Sequence, residues 1–330
     1  MPSKPFEMTL EYGTVALVAG SDFLIDIPTE PISYLDFILT GINPTDTGEE
    51  LSIEDVLSQI DLITIKLNGA DIISLTGEEC AIYAMAVSGF LPTLTFEDDD
   101  AGQAFTLVFR IPFSRIPYNP NECYPATPRG NSKCRIQVIG AFTKVTNMDL
   151  TVVACRLPGA TPPVMVAQDM IQETLAAIGT YDIDLTKQFP LVGLLMWSSQ
   201  IPNSTVETAV IDQLSLFIGS DQTRLHDMPW CHLRGRLMEK MRNFGLLREH
   251  AHKLIEVAYA QGDSTSPQLQ EDDSLWDHYA YVDFDPLLDG QHILRVKPGL
   301  KFVARVITTI AGYVHFIPVI LRDTSDMVAR

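Results

Sequence analysis

Paired cysteines are missing from this sequence. Its five cysteines are widely spaced, and no two of them form a C-x-x-C motif. An odd number with this spacing suits neither a disulfide framework nor a zinc site built from cysteines. We therefore expect reduced thiols that are structural or inert: Cys80, Cys123, Cys134, Cys155 and Cys231.

The familiar sequence motifs of enzymes are missing as well. There is no glycine-rich phosphate-binding loop, no G-x-S-x-G motif and no convincing catalytic triad. The first twelve residues, M-P-S-K-P-F-E-M-T-L-E-Y, lack the apolar core of a signal peptide, so secretion through a cleaved signal is not expected. These absences favour a structural role, with neither enzymatic activity nor a cofactor.

Basic residues are scarce relative to acidic ones. Lysine and arginine number 23, aspartate and glutamate number 42, and the formal net charge is −19. Such a surface is not attracted as a whole to nucleic acid or to an anionic membrane, and we expect no direct sequence-specific binding of nucleic acid. The 46% of hydrophobic residues instead indicate a folded chain with large cores.

One apolar stretch is long enough to cross a bilayer, which takes about 20 residues. It covers 302–321, but it is rich in β-branched residues, carries Arg305, His315 and Pro318, and is interrupted at Gly312. We interpret it as two buried strands joined by a turn.

A hairpin pattern occurs twice in the chain. Residues 60–69 read I-D-L-I-T-I-K-L-N-G, and residues 211–220 read I-D-Q-L-S-L-F-I-G-S. Each has alternating apolar residues followed by a two-residue turn signal, Asn68-Gly69 in the first and Gly219-Ser220 in the second. The repetition suggests that the whole chain is doubled.

Two further pairs of segments repeat in the same order. The two strand patterns at 22–39 correspond to those at 181–197, and the strand pair at 134–157 corresponds to the pair at 300–322. Three ordered matches that span both halves indicate an internal duplication.

Helical spacing occurs at three places. The apolar residues of 164–179 recur at helical intervals before a glycine and predict a linker helix, and those of 233–258 predict a long helix that buries Leu237, Met241 and Phe244. A shorter run at 78–90 is compatible with a helix at the matching place of the first half. Each half then consists of about eight short strands with a helix inserted midway.

The predicted fold class is all-β with inserted helices, in the form of two tandem eight-stranded jelly-roll β-barrels. The first barrel covers 1–160 and a linker with a helix covers 161–180. The second barrel covers 181–330 and has a helical insertion near 231–262.

This pattern resembles the double jelly-roll major capsid proteins of tailless icosahedral viruses, a lineage that includes membrane-containing phages, archaeal viruses and the adenovirus hexon. The resemblance rests on the paired hairpins and strand pairs and covers nearly the whole chain. It implies a homotrimer with six barrels in a pseudo-hexagonal tile of an icosahedral shell. The implied partners are neighbouring capsomers, minor capsid or penton proteins and, as in many relatives, an internal viral membrane. The implied location is the virion capsid, after assembly in the host cytoplasm.

A bicupin-like metalloenzyme is the alternative, because cupins are also jelly rolls. Its ligands would be His250, His252 and Glu256 between Gly245 and Gly262. Compared with the cupin spacing, however, one residue is missing before His250 and another before Gly262. The surrounding helical period would also turn the two histidines about 200° apart around the helix axis. We therefore interpret them as solvated helix histidines and predict no metal site. A carbohydrate-binding β-sandwich is a third reading, but its aromatic platforms do not match the scattered tryptophans.

The same predicted helix carries the chain's concentration of basic residues. We consider it as a contact for acidic neighbouring subunits or lipid headgroups, or simply as the polar face of a surface helix. The candidate contact residues are Arg234, Arg236, Lys240, Arg242, Arg248 and Lys253.

Overall fold

Eighteen strands and three helices make up the described part of the chain. The computed structural model describes residues 6–43, 51–96, 102–200, 209–219, 224–242 and 278–325.

The first nine strands form two sheets. One has the order β1-β9-β3-β7-β6 and the other β2-β8-β4-β5, and all neighbours are antiparallel. The strands are β1 Glu7–Leu17, β2 Asp22–Asp26, β3 Ile32–Ile42, β4 Ile60–Leu67, β5 Ala70–Leu75, β6 Thr93–Phe96, β7 Ala104–Pro112, β8 Ser132–Val138 and β9 Met148–Arg156.

The other nine strands repeat this plan. Their sheets have the orders β10-β18-β13-β16 and β12-β17-β14-β15, and β11 also pairs with β18. The strands are β10 Val164–Gln168, β11 Ile171–Leu175, β12 Gly179–Asp184, β13 Leu191–Ser198, β14 Gln213–Ile218, β15 Arg224–Pro229, β16 Tyr279–Asp283, β17 Phe302–Thr308 and β18 Gly312–Asp323.

Both halves have the strand order of a jelly roll. The first, eighth, third and sixth strands of the motif form one sheet, and the second, seventh, fourth and fifth form the other. In the first half β6 is an additional edge strand, and in the second half β10 and β11 together supply the first strand. The predicted double jelly roll is confirmed.

The three repeated sequence patterns occupy equivalent places in the two barrels. They correspond to β2 and β12, to β4 and β14, and to the closing pairs β8–β9 and β17–β18. A backbone hydrogen bond is repeated with them: Asn68 N–H donates to the Asn131 carbonyl at 2.8 Å, and Gly219 N–H donates to the Lys301 carbonyl at 2.8 Å. The duplication predicted from the sequence is therefore also a repetition of geometry.

Alternating burial explains why these segments are strands. In β17 every second residue from Phe302 to Thr308 is buried, while the residues between them are half-buried. The strands β17 and β18 also confirm that the apolar stretch 302–321 is two strands and a turn. Among the described residues, no helix has the length and apolar character needed to span a bilayer.

The two predicted tight turns differ in outcome. Asn68 and Gly69 have φ angles of +49° and +81°, and Leu67 pairs directly with Ala70, so the first is a two-residue turn as predicted. In the second hairpin Phe217 pairs with Arg224, and residues 220–223 lie outside the described residues. Ser220 is among them, so the two-residue turn predicted at Gly219-Ser220 stays a prediction.

Each barrel has a helix between its fifth and sixth motif strands, and barrel one has a further short helix before its fourth. In the first barrel α1, Ile53–Leu57, precedes β4, and α2, Gly77–Ser88, follows β5. The capping box of Thr76 and Glu79 starts α2, and Gly89 at φ +72° ends it. Almost every residue of α2 is buried, so it is a core helix.

The helix of the second barrel is α3, Trp230–Arg242. Trp230, Leu233 and Leu237 are buried at intervals of three and four residues, and α3 packs against β16. The predicted helix 233–258 is thus confirmed over its first part, and its remainder, including Phe244, lies outside the described residues.

The predicted linker helix at 164–179 was wrong, because β10 and β11 occupy this stretch. Met165, Val166 and Ala167 are all fully buried, since β10 is covered on both faces. Burial on both faces removes the alternation that marks a half-exposed strand, and the remaining apolar spacing imitates a helix. The domain boundaries at 160 and 180 stay a prediction.

Candidate interaction surfaces

The two barrels are joined by backbone hydrogen bonds. The chain after β7, which we call the first docking segment (residues 113–124), lies along the free edge of β10. Val166 N–H donates to the Phe113 carbonyl at 2.9 Å, and Cys123 N–H donates to the Val164 carbonyl at 3.2 Å. The first strand of barrel two is therefore paired by barrel one, which protects an otherwise open sheet edge.

A buried ionic cluster strengthens this junction. Arg115 of the first docking segment bonds Glu122 at 2.8 Å and also bonds Asp285 of barrel two. The Asp285 side chain is fully buried and also accepts the Gly290 N–H at 3.1 Å. Burial alone lowers the pKa of Arg115, but its bonds to the two carboxylates outweigh burial and raise the pKa. The two carboxylates therefore keep Arg115 positively charged at the junction between the barrels.

A second polar contact joins α2 to β18. The Glu79 carboxylate, which is 2% exposed, contacts the His315 Nδ1 at 2.6 Å. The other Glu79 oxygen accepts the Thr76 N–H at 2.9 Å, and the His315 ring packs against Trp197 with centroids 4.5 Å apart. Glu79 thus caps a helix of barrel one and binds a strand of barrel two at the same time.

Glu78 lies beside this contact and has a perturbed acidity. Burial, followed by the negative charges of Glu54 and Glu79, raises its pKa from the ordinary value of 4.5 to about 7. The junction therefore contains a carboxyl group that titrates near neutral pH.

The basic residues predicted as contacts are only partly described. Arg234 is half-buried and Arg236 is exposed on α3. Burial, together with the charge of Arg236, lowers the pKa of His226 on the preceding strand. The side chains of Lys240 and Arg242 and all of Arg248 and Lys253 lie outside the described residues, and the contact role of the six basic residues stays a prediction.

The ligands of the alternative metal site, His250, His252 and Glu256, also lie outside the described residues. In the part of the chain that the structure describes, no group of three or more histidine, cysteine or carboxylate side chains is gathered as a metal site. All five cysteines are free thiols, and burial raises the pKa of Cys134 to about 12.

A surface cavity of about 420 Å³ lies at the β4–β5 turn. Lys66 and Lys133 face each other across neighbouring strands at its wall, and Lys66 also pairs with Asp71 at 3.0 Å. The cavity is an open surface hollow, and its lysine pair was not predicted from the sequence.

An exposed apolar surface on β1 was also missed by the sequence reasoning. Phe6, Met8 and Leu10 are 50%, 47% and 64% exposed. They alternate with polar residues, so they share one face of the strand. Tyr118 of the first docking segment covers only part of this face, with its ring 4.5 Å from that of Phe6. The alternation F-E-M-T-L was visible in the sequence, but its lack of a covering partner was not.

The fold and these surfaces define a double jelly-roll protein whose two barrels are locked together and whose first strand is left with an uncovered apolar face. Solved structures of the same architecture match nearly the whole chain. The STIV MCP is 12% identical with a TM-score of 0.66, and the match covers 99% of this chain and 100% of that one. STIV is the Sulfolobus turreted icosahedral virus.

Two further structures match with similar completeness. The major capsid protein P2 of bacteriophage PM2 is 12% identical with a TM-score of 0.62, covering 97% of this chain and 98% of that one. PBCV-1 VP54, fitted into a reconstruction of the virophage Sputnik, is 9% identical with a TM-score of 0.56, covering 96% and 94%. No protein-family model and no curated protein sequence matches the chain. At these identities the likeness shows the shared fold.

Proposed function

We propose that the protein is a viral major capsid protein, a structural building block of an icosahedral shell. The observation that carries this proposal is the repeated jelly-roll order over the full chain, which aligns end to end with two capsid proteins. Because a fold alone does not define a function, support also has to come from surfaces suited to association.

The surfaces support a tile-like role. The backbone bonds and the buried Arg115 cluster join the two barrels. Each chain therefore presents two barrels of the same topology to its neighbours. Three such chains would place six barrels in a pseudo-hexagonal trimer, the closed arrangement that the resemblance implies. The uncovered apolar face of β1 is the kind of surface that a neighbouring chain covers.

The proposed partners are further copies of the chain, first within the trimer and then in neighbouring capsomers. Minor capsid or penton proteins would complete the shell, an internal viral membrane is the proposed inner neighbour, and assembly is proposed to occur in the host cytoplasm. The basic residues of α3 and beyond, from Arg234 to Lys253, are our candidates for contacts with acidic edges or lipid headgroups.

Electron microscopy of material from the natural source tests the proposal directly. We expect the chain to be the dominant component of a particle of regular, icosahedral shape. Native mass spectrometry of the purified protein should show trimers. A protein that stays monomeric at micromolar concentration, under every salt and calcium condition, would contradict the proposed function.

A further inference from the structure

The contact between barrel one and the first strand of barrel two is the basis for inferring a similar contact between two chains. In barrel two the outward residues of the first strand are covered by barrel one: Val166 is fully buried, and Gln168 is 5% exposed with its side-chain amide bonded to the Ser74 carbonyl at 3.0 Å. The covering element is the first docking segment, together with β5. This contact can be compared position by position with the other barrel, because the two barrels share one topology.

Barrel two contains an equivalent of the first docking segment. The first segment begins with Phe113, whose N–H donates to the Ser33 carbonyl at 2.9 Å. After the matching strand of barrel two, Phe284 N–H donates to the Val192 carbonyl at 3.0 Å. We call residues 284–294 the second docking segment.

The two segments also end in the same way. Tyr124 and Ile32 exchange two backbone hydrogen bonds, of 2.9 and 3.0 Å, and Leu294 and Leu191 exchange two of 2.9 Å. Equivalent bonds at both ends fix the correspondence between the segments to within one residue of length.

The two docking segments differ in what covers them. In the first, Glu122 and Cys123 are 5% and 0% exposed, because β10 lies against them. Counting back from the shared end, their equivalents are His292, which is exposed, and Ile293, which is only half-buried. The second docking segment has the shape of a strand-binding surface and has no strand on it in the described part of the chain.

Equivalent backbone hydrogen bonds also align the first strand of barrel one, β1, with the first strand of barrel two, β10. Leu157 N–H donates to the Pro31 carbonyl at 2.8 Å, and Leu321 N–H donates to the Pro190 carbonyl at 2.8 Å. These equivalent bonds align the ends of β9 and β18, the strands on which β1 and β10 are paired.

The pairing registers then give the equivalent residues. Glu7 is opposite Arg156, and Ala167 is opposite Ile320, so Phe6 corresponds to Val166 and Met8 to Gln168. The residues that barrel one covers in β10 are therefore the ones left 50% and 47% exposed in β1.

We propose that the exposed face of β1, around Phe6 and Met8, docks onto the second docking segment of another copy of this chain. Among the described residues, each of these two surfaces lacks the partner that its equivalent has inside the chain, and the two are complementary halves of one repeated contact.

Such a contact is heterologous, because the two surfaces of one chain differ. Head-to-tail contacts of this kind give a closed ring or an open filament, depending on the rotation per step. If the step between chains repeats the step between barrels, and six such steps complete a full turn, alternating internal and external contacts form a closed ring. This inference rests on the proposed function, since the closed ring is the capsid tile proposed above.

Mixing two blocked variants tests the contact. Met8→Glu places a charge on the β1 face, and His292→Glu buries an unpaired carboxylate at the second docking segment, where Pro286 takes the place of Arg115. By native mass spectrometry, each variant alone should lose its oligomers and appear as single chains. An equimolar mixture should form a two-chain species, because each variant retains the surface that the other lacks.

Controls separate this contact from other causes. Met8→Leu and Ile178→Glu, at a 73% exposed position in the turn between β11 and β12, should keep the wild-type oligomers. Melting temperatures should show that each variant is folded, and Leu10→Glu provides a second block of the β1 face if Met8→Glu unfolds. Oligomers in either blocked variant, or single chains only in the mixture, would overturn the inference while leaving the proposed function standing. A wild-type chain that never associates would overturn both.

Discussion

Gly69 occupies a backbone conformation that other residues avoid. Its φ is +81°, and a side chain there would meet open space, so only backbone strain opposes a substitution. We expect Gly69→Val to cost at least about 1–2 kcal/mol and to lower the melting temperature. Gly140→Val is the matched control, because Gly140 also faces open space and has no positive φ. Equal melting temperatures for the two variants would contradict the tight turn.

Arg115 neutralises two buried carboxylates at the junction of the barrels. Its replacement by Met would leave Glu122 and Asp285 buried without a cation, and breaking such a pair costs about 3–5 kcal/mol. The control is Arg135→Met, because Arg135 and its partner Asp22 are both more than 40% exposed and such a pair contributes about 0–1 kcal/mol. Urea unfolding should show this difference, and a small loss for both variants would show that water reaches the cluster.

The raised pKa of Glu78 predicts that the stability of the protein depends on pH near neutrality. Because its pKa in the folded state, about 7, lies above the ordinary 4.5, its contribution is fully present below pH 4.5 and is lost as the pH rises to about 7. Allowing for its partial exposure, we expect a loss of about 1–2 kcal/mol over this range. Urea unfolding of Glu78→Gln should show a smaller loss, whereas Glu173→Gln, at an exposed position, should behave as the wild type.

At the scale of elements, α3 is held by its apolar face. Leu237 is fully buried, so Leu237→Ala should cost about 2–5 kcal/mol. Leu225→Ala, at a 38% exposed position on the neighbouring strand β15, should cost much less. Equal effects in chemical unfolding would indicate that α3 contributes little to the stability of barrel two.

The sequence predicts elements best where one face is buried and the other is open. The hairpin at 60–69 and the closing pair at 300–322 alternate clearly, and their repetition identified the doubled plan. The stretch 164–179 failed because burial of β10 depends on residues 113–124, about 50 positions earlier, and no local pattern records that contact. Local periodicity describes an element's surroundings only when the element has a single buried side.

The candidate contact surfaces were harder to predict for the same reason. The basic residues of α3 were found because charges cluster along the sequence, yet only Arg234 and Arg236 have described side chains. The apolar residues Phe6 and Met8 look like ordinary strand residues in sequence. Their significance appears only when the covered Val166 and Gln168 are placed beside them.

For the whole molecule, net charge predicts that assembly responds to salt. Each chain brings a formal charge of −19, so the proposed trimers would repel one another at low ionic strength. At about 0.15 M salt the screening length is about 8 Å, and only charges that face each other across a contact still act. Light scattering across a salt and calcium series should show shell assembly varying more than the trimer does. Reversing Arg236 and Lys240 to Glu should weaken association without unfolding the barrels, and an unchanged assembly would exclude this surface.

The pairing of β1 with the distant strand β9 affects how the chain folds while it is being synthesised. β1 pairs with β9, which begins only at Met148, so the apolar first strand has no partner until most of barrel one has been synthesised. At about 5–20 residues per second this wait lasts about 7 to 30 seconds, during which Phe6, Met8 and Leu10 are open to other nascent chains. In barrel two β10 also waits for its sheet partner β18, which begins at Gly312, but residues 113–124, which bond its other edge, have already been synthesised when β10 emerges. During synthesis, β10 therefore has one partner edge in barrel one before barrel two is complete, whereas β1 has no paired strand until β9 is made.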